Sequence, residues 1–293
     1  MKSLSKIGLC VVALLSLPTQ AMTILTSIKP LQLIVTEITD SVSTPELLLS
    51  STASPHDYAL KPSDLSKIKN ADLVVWFGPD LEPFLTKVIG ESEKALWLSK
   101  SDITLRSYSK AGHDGHNHGN FDPHIWLGPI QAEQTAKAIA AKLIKLDKEN
   151  AAVYQANLER FVSNLSQTEQ QIKTLLSPHL TNGYYVFHDA YEYFESYFDL
   201  NNLGHFTLSP DRKPGAKTLI QIRSALRKGE VKCVFSEPQF EPAIIETVTR
   251  GSDVYIGVLD PLATDVELKK GGYFQFLTHL ANDYVECLSY GNE

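Results

Sequence analysis

The feature that most constrains the fold is an alternation of short apolar runs with segments of helical periodicity. In the first half, the apolar runs are TILTSI (23–28), ELLLSS (46–51), LVVWFG (73–78) and ALWLS (95–99). In the second half, they are YYVFH (184–188), HFTLS (205–209), KCVFSE (232–237) and VYIGVL (254–259). Short runs with few polar positions are typical of strands buried on both faces. Each half is therefore predicted to form a parallel sheet.

The segments between these runs predict the helices that cover the sheets. In the first half they are LQLIVTEITD (31–40), KPSDLSKIKNAD (61–72) and LEPFLTKVIG (81–90). In the second half they are AYEYFESYF (190–198), KTLIQIRSALRKG (217–229), PAIIETVTRG (242–251) and YFQFLTHLANDYVECL (273–288). Strands that alternate with helices over short connections indicate an α/β fold with two four-stranded parallel lobes.

A stretch without glycine separates the two halves. Residues 131–180 contain no Gly, and their first Pro is Pro178. Apolar residues at three- and four-residue spacing predict a shorter helix, a break near Asp147 and a long helix of about 30 residues, well above the usual length. We expect this long helix to be a rigid bridge between an N-terminal lobe (22–130), which includes a His-rich loop (112–119), and a C-terminal lobe (179–293), with connecting helices over 131–178.

The first 21 residues have the pattern of a secretory signal peptide. Lys2 and Lys6 precede an apolar run from Ile7 to Leu17, and Ala21 supplies a small residue for cleavage. The alternative is a membrane anchor, but the apolar run is short for a bilayer span. Cleavage after Ala21 would leave Cys233 and Cys287, for which an oxidising compartment favours a disulfide over a reduced pair or a metal site.

The charge balance argues against a nucleic-acid partner. The chain has 27 basic and 34 acidic residues, and removal of the predicted signal peptide takes away two lysines and no acids, so the formal net charge becomes −9. Binding to phosphate backbones requires clustered Lys and Arg, which are absent here.

Histidines follow several of the predicted strands. His56 comes after the second apolar run, His188 closes YYVFH, and His124 precedes the connecting helices; Asp260 closes the last apolar run. In open α/β sheets, ligands bind beyond the carboxyl ends of the strands, so these residues can share one crevice. Three imidazoles suit Zn²⁺, although a histidine taken singly is more often a hydrogen-bonded structural residue. His179, His205 and His279 are assigned to that structural class.

Six motifs, in order, resemble those of the periplasmic zinc-binding proteins of bacterial ABC uptake systems, the ZnuA type of the cluster A-I metal-binding proteins. They are SPHDYALKPSDLSKIKNADLVVWFGPDLEPFL, DPHIWLGP, YYVFHDAYEYFE, LGHFTLSP, CVFSEPQF and LDPL. The resemblance implies two α/β lobes bridged by a long helix, with the metal in the cleft between them. It implies that His56, His124 and His188 bind the metal. Histidine at position 188, where manganese-type relatives have a carboxylate, favours zinc.

The sequence departs from some zinc-type relatives at one position. They have a glutamate before the first histidine, whereas this chain has Pro55, which offers no donor side chain. The fourth ligand is then water or Asp260, and Asp260 could instead support a histidine from outside the coordination sphere. Asp57 and Asp189, next to two of the histidines, are further candidates for that supporting role.

The remaining histidines of the first half lie in the His-rich loop. His113, His116 and His118 occur among Gly, Asp and Asn, which predicts a weak second metal site or no measurable binding, because ordering such a loop costs entropy. The resemblance implies a monomeric periplasmic protein that delivers zinc to an inner-membrane ABC permease. The alternatives are a zinc hydrolase, for which HExxH and GxSxG are missing, and an adhesin-like metal-binding surface protein.

Overall fold

A computed structural model describes residues 22–107, 121–208, 210 and 213–291 of the chain. The predicted signal peptide and the His-rich loop lie outside these residues. Within the described part of the chain, no helix has the length and apolar character needed to cross a membrane.

The first lobe contains a four-stranded sheet in which every strand is parallel to its neighbours. The strands lie in the order β2-β1-β3-β4, and their bounds are β1 Ile24–Thr26, β2 Glu46–Leu47, β3 Leu73–Trp76 and β4 Ala95–Trp97. Helix α1 (Lys29–Thr39) follows β1, and α2 (Pro62–Asn70) precedes β3. The strand β2 is shorter than its apolar run, because hydrogen bonds continue past Leu47 only as single contacts to Thr26 and Ser27.

The second lobe repeats this topology. Its parallel sheet has the order β6-β5-β7-β8, with β5 Tyr184–His188, β6 Asn202–Thr207, β7 Cys233–Ser236 and β8 Tyr255–Val258. The helices are α5 Glu192–Phe198, α6 Ala216–Arg227, α7 Ala243–Thr249 and α8 Gly272–Leu288. In both sheets the chain adds one strand to one side and the next to the other side. This reversal opens a crevice at the carboxyl ends of the strands.

Two helices connect the lobes, as the glycine-free stretch predicts. Helix α3 spans Pro129–Leu146, and α4 spans Ala151–Leu176, a length of 26 residues. The predicted break is at Asp147, whose Oδ2 accepts hydrogen bonds from Tyr154 and from the Asn150 side chain, each at 2.8 Å. These bonds end one helix and fix the start of the next.

The long helix α4 packs against elements of both lobes. It contacts α1 of the first lobe, the connecting helix α3 and α8 of the second lobe. The buried Asn157 amide donates hydrogen bonds to the carbonyls of Ile38 (2.8 Å) and Asp40 (2.9 Å), which tie α4 to the end of α1. One continuous hydrophobic core includes residues of both sheets and of α4. The predicted two-lobed α/β fold with a bridging helix is therefore confirmed.

The predicted helix over 81–90 does not form. This segment contains only a short 3-10 helix, Pro83–Leu85, followed by turns. Gly78 has a φ of 140°, which favours glycine, and its carbonyl accepts hydrogen bonds from the amides of Leu81 and Glu82. A turn therefore occupies the start of the segment, where the periodicity predicts the first residues of an α-helix.

The Glu82 side chain fills the space inside this turn. Its Oε1 accepts a hydrogen bond from the Ser27 hydroxyl at 2.5 Å, and its Oε2 accepts from the amides of Phe77 (3.1 Å) and Gly78 (3.0 Å). Burial raises the pKa of Glu82 from 4.5 to about 7, because a buried carboxylate loses its hydration.

Glu82→Gln should remove a pH dependence of stability. The folded protein binds a proton at Glu82 below about 7, whereas the unfolded chain binds it only below its ordinary pKa. The stabilising contribution of protonation is therefore lost as pH rises through about 7. Between about pH 5 and pH 8, the free energy of unfolding of the variant should therefore rise by up to roughly 3 kcal/mol relative to that of the wild type. Urea unfolding at several pH values measures this free energy, and Glu91→Gln, which changes an exposed acid, is the control. If the free energies of unfolding of wild type and Glu82→Gln change with pH in parallel, the prediction is wrong.

Cys233 and Cys287 form a disulfide that joins β7 to α8. Gly257 on β8 leaves room for it, since a Cβ there would meet the Cys287 Sγ at 3.0 Å.

The Cys233→Ala/Cys287→Ala variant should lower the free energy of unfolding by about 2–5 kcal/mol, because the bond restricts the unfolded chain. Denaturant unfolding of the oxidised proteins measures this. In the presence of a reductant, the difference between wild type and variant should shrink; an equal stability of the two oxidised proteins would contradict the role of the bond.

Candidate metal centre

His188 is the last residue of β5, and a neighbouring strand holds its ring. Glu237 directly follows β7, which pairs with β5 in parallel. The His188 Nδ1–H donates to Glu237 Oε1 at 2.6 Å, and both side chains are almost completely buried. This bond directs the Nε2 atom of His188 away from the carboxylate and into the crevice between the lobes.

His124 is oriented by a carboxylate in the same way. Asp122 Oδ1 accepts one hydrogen bond from the His124 Nδ1–H (2.7 Å) and another from the His124 backbone amide (3.0 Å). The next residues are clamped by the second lobe, because Trp126 Nε1–H donates to the Pro261 carbonyl and the Tyr273 hydroxyl donates to the Trp126 carbonyl, both at 2.7 Å. The His124 segment is thus fixed at the junction of the lobes.

His56 lies on the loop that follows β2. It occupies the middle of a short 3-10 helix, Pro55–Asp57, whose start is capped by Ser54 Oγ accepting from the His56 amide at 3.3 Å. The His56 ring is half-buried, whereas His124 and His188 are each 2% exposed. His56 therefore forms the solvent-side wall of the crevice.

The structure brings these three histidines together. The ring centroids are 5.4 Å apart for His56 and His124, 5.8 Å for His56 and His188, and 5.2 Å for His124 and His188. One nitrogen from each ring lies within 4.8 Å of the others, and the two Nε2 atoms of His124 and His188 are 3.3 Å apart. The cavity between the rings measures about 10 Å³. This space suits a single ion or water rather than an organic substrate.

The electrostatics of the site favour a neutral His124 ring. Burial lowers the pKa of His124 well below its ordinary value, and the neighbouring His188 lowers it further. Burial also raises the pKa of Asp122 to about 7. With its Nδ1–H directed to Asp122, the neutral His124 ring presents its Nε2 lone pair to the cavity. A carboxylate that accepts from a ligating imidazole in this way raises its basicity and fixes its tautomer.

The Asp260 carboxylate accepts hydrogen bonds from the loop that follows it and from Gln239. Its Oδ1 accepts from Gln239 Nε2 (2.7 Å) and the Leu262 amide (3.0 Å), and its Oδ2 accepts from the Thr264 amide. The carboxylate does not line the cavity between the histidines. Its visible role is to shape the loop 260–264.

Asp122 and Glu237, which support two of the histidines, were not predicted to do so from the sequence. The candidates for that role were Asp260, which accepts from Gln239 and its own loop, Asp57, which is exposed, and Asp189, whose Oδ1 lies 3.9 Å from His205 Nδ1. The local motif DPH contained a signal for Asp122, because an acid two residues before a histidine can accept from both its amide and its ring. Glu237 lies 49 residues from His188, and only the pairing of β5 with β7 brings them together.

Comparison with known families matches residues 24–287 to the model of the zinc-uptake complex component A, periplasmic, which is ZnuA. The chain belongs to the ZnuA family. The matched range includes the three converging histidines and both supporting carboxylates.

Individual relatives agree with this family over most of their length. The chain is 43% identical to the high-affinity zinc uptake system protein ZnuA of Yersinia pestis, covering 90% of this chain and 91% of that protein. It is 40% identical to the ZnuA of Haemophilus ducreyi, with 91% and 93% covered. A crystal structure of ZnuA superposes with a TM-score of 0.79 at 27% identity, covering 92% of this chain and 100% of that chain. The family that the six motifs resemble is thus confirmed.

Glu237→Gln should weaken the binding of a divalent metal by ten-fold or more, on the order of the 10–100-fold typical of such partners, because the amide cannot raise the basicity of His188. Metal competition with a chromophoric chelator measures the affinity. Asp57→Asn, which changes an exposed acid next to His56, is the matched control and should bind as the wild type does. Equal losses in both variants would contradict the role given to Glu237.

Proposed function

We propose that this protein captures Zn²⁺ in the periplasm and delivers it to an ABC permease for high-affinity import. The observation that carries the proposal is the convergence of His56, His124 and His188 within 4.8 Å of one another in a cavity of about 10 Å³. Zn²⁺ binds imidazole nitrogen at about 2.0–2.1 Å and is stable with four ligands. Rings whose partners already fix them need little reorganisation to meet such an ion.

The donor set supports zinc over a harder cation. In the described residues, the group able to hold a metal contains three histidines and no carboxylate. Imidazole suits zinc, whereas manganese and magnesium favour carboxylate and carbonyl oxygen. We propose water as the fourth ligand, because the oxygens of Asp260 already accept hydrogen bonds from Gln239 and from two amides of its own loop.

The relatives support the same ion. Those from Yersinia pestis and Haemophilus ducreyi are named high-affinity zinc uptake proteins. A zinc-bound ZnuA deletion mutant superposes on this chain with a TM-score of 0.78 at 27% identity. We also propose that residues 1–21 are a cleaved signal peptide and that the mature protein is a monomer in the periplasm. The proposed units are an N-terminal lobe to residue 130, connecting helices over 131–178 and a C-terminal lobe from residue 179.

Binding rather than hydrolysis fits the site. A hydrolase requires a general base beside the metal-bound water and room for a substrate. Glu237, the best candidate for such a base, accepts a hydrogen bond from His188, and the cavity has the volume of about one water. We therefore propose a transport protein and no enzymatic reaction.

Zinc titration of the metal-free mature protein against a competing chelator tests this function. We expect one tight site that is lost in His188→Ala, because the remaining two rings cannot complete the coordination. Deletion of residues 112–119, with His113, His116 and His118, should keep that site and remove at most a weak second one. Loss of tight binding with the loop deletion, and its survival in His188→Ala, would overturn the proposal.

A further inference from the structure

The loop that carries His56 is held by the opposite lobe. The Ser51 carbonyl, in the same loop, accepts a hydrogen bond from Thr264 Oγ1 at 3.1 Å and a longer one from Gln239 Nε2 at 3.4 Å. Thr264 follows β8 and Gln239 follows β7, so both donors belong to the second lobe. The rings of His124 and His188 are oriented by the carboxylates of Asp122 and Glu237.

Thr264 is fixed through each of its polar groups. Its amide donates to Asp260 Oδ2, its carbonyl accepts from Lys29 Nζ at 2.8 Å, and its hydroxyl donates to Ser51. The preceding residue, Ala263, has a φ of 53° although it is not glycine. A buried alanine keeps this unfavourable conformation only where its surroundings determine it. These hydrogen bonds and the fixed backbone at Ala263 hold the Thr264 hydroxyl in one position.

Gln239 stabilises the hydrogen bond between Thr264 and Ser51. Its Nε2 donates to Asp260 Oδ1 at 2.7 Å and lies 3.3 Å from Thr264 Oγ1. Because the Thr264 hydroxyl proton is directed to Ser51, its oxygen is free to accept from Gln239. The carboxylate of Asp260 therefore orients both donors.

The backbone between Ser51 and His56 is short and constrained. The Ala53 amide donates to the Ser50 carbonyl at 2.9 Å, which closes a turn around Ser51. Pro55 has a restricted φ, and Ser54 caps the 3-10 helix that contains His56. Ser51 and His56 are therefore joined by a short segment that contains a turn and a capped 3-10 helix.

We propose that Thr264 and Gln239, oriented by Asp260, form an interlobe latch that positions His56 for zinc. The inference rests on the proposed function and gives Asp260 a role: it acts on the metal through the His56 loop, without touching the ion. These are positioning residues. Closing the latch brings the third imidazole to a metal already held by His124 and His188, and opening it withdraws that ligand while both other rings stay braced.

Thr264→Val tests the latch, because valine keeps the shape of the side chain and removes the hydroxyl. Zinc affinity should fall about two- to tenfold, the range expected for one hydrogen bond, with faster zinc dissociation into excess chelator. Thr264→Ser, which keeps the hydroxyl, is the matched control and should restore wild-type binding. Gln239→Leu should give a smaller loss in the same direction, and it provides the same test if Thr264→Val does not fold.

A double-mutant cycle separates positioning of His56 from a general structural effect. In a His56→Ala background, Thr264→Val should cause no further loss of zinc affinity, because the ligand that it positions is absent. The same loss in both backgrounds, or full affinity in a folded Thr264→Val protein, would overturn the latch. If the wild type binds zinc and His188→Ala does not, the proposed function stands whatever the latch variants do; failure of the wild type to bind zinc refutes the function itself.

Discussion

The packing of α4 against both lobes is the constraint on which the rest of the structure depends. This helix contacts α1 of the first lobe, the connecting helix α3 and α8 of the second lobe, within a hydrophobic core that is continuous between the sheets. Close-packed interiors resist small displacements, so the carboxyl ends of the two sheets are held at a set distance. Three histidines from three separate parts of the chain can then meet in a cavity for one ion without a large rearrangement.

The two lobes share one type of hydrogen bond, which has a different role in each. In each, a residue at the end of the first strand donates to a carboxylate that follows the third strand: Ser27 to Glu82, and His188 to Glu237. In both lobes these two strands pair in parallel, so donor and carboxylate lie at the same edge of the sheet. In the first lobe the bond stabilises a turn. In the second, the donor is an imidazole, and the bond directs its second nitrogen towards the cavity between the histidines.

The three histidines are not equivalent. Two are buried and oriented by carboxylates, whereas His56 is half-buried on a loop whose Ser51 carbonyl accepts a hydrogen bond from the second lobe. In the proposed function, two buried ligands and a third on a loop held from the opposite lobe would reconcile tight binding with release, because removal of one ligand weakens the site without separating the lobes. The Trp126–Pro261 and Tyr273–Trp126 hydrogen bonds do not involve His56, so they would keep the lobes together when His56 leaves the metal.

Apolar periodicity by itself predicted eight strands, the long connecting helix and the break at Asp147, because buried strands and helices each impose a local spacing on the sequence. The strand bounds were less exact, since β6 begins at Asn202, before its apolar run. The six motifs predicted the family. Tertiary structure alone decided that 81–90 is a turn, since the Glu82 side chain reaches Ser27, distant in sequence. It also decided that Glu237 supports His188 and that Asp260 serves its own loop. Such contacts depend on strand pairing and side-chain direction, which no local pattern encodes.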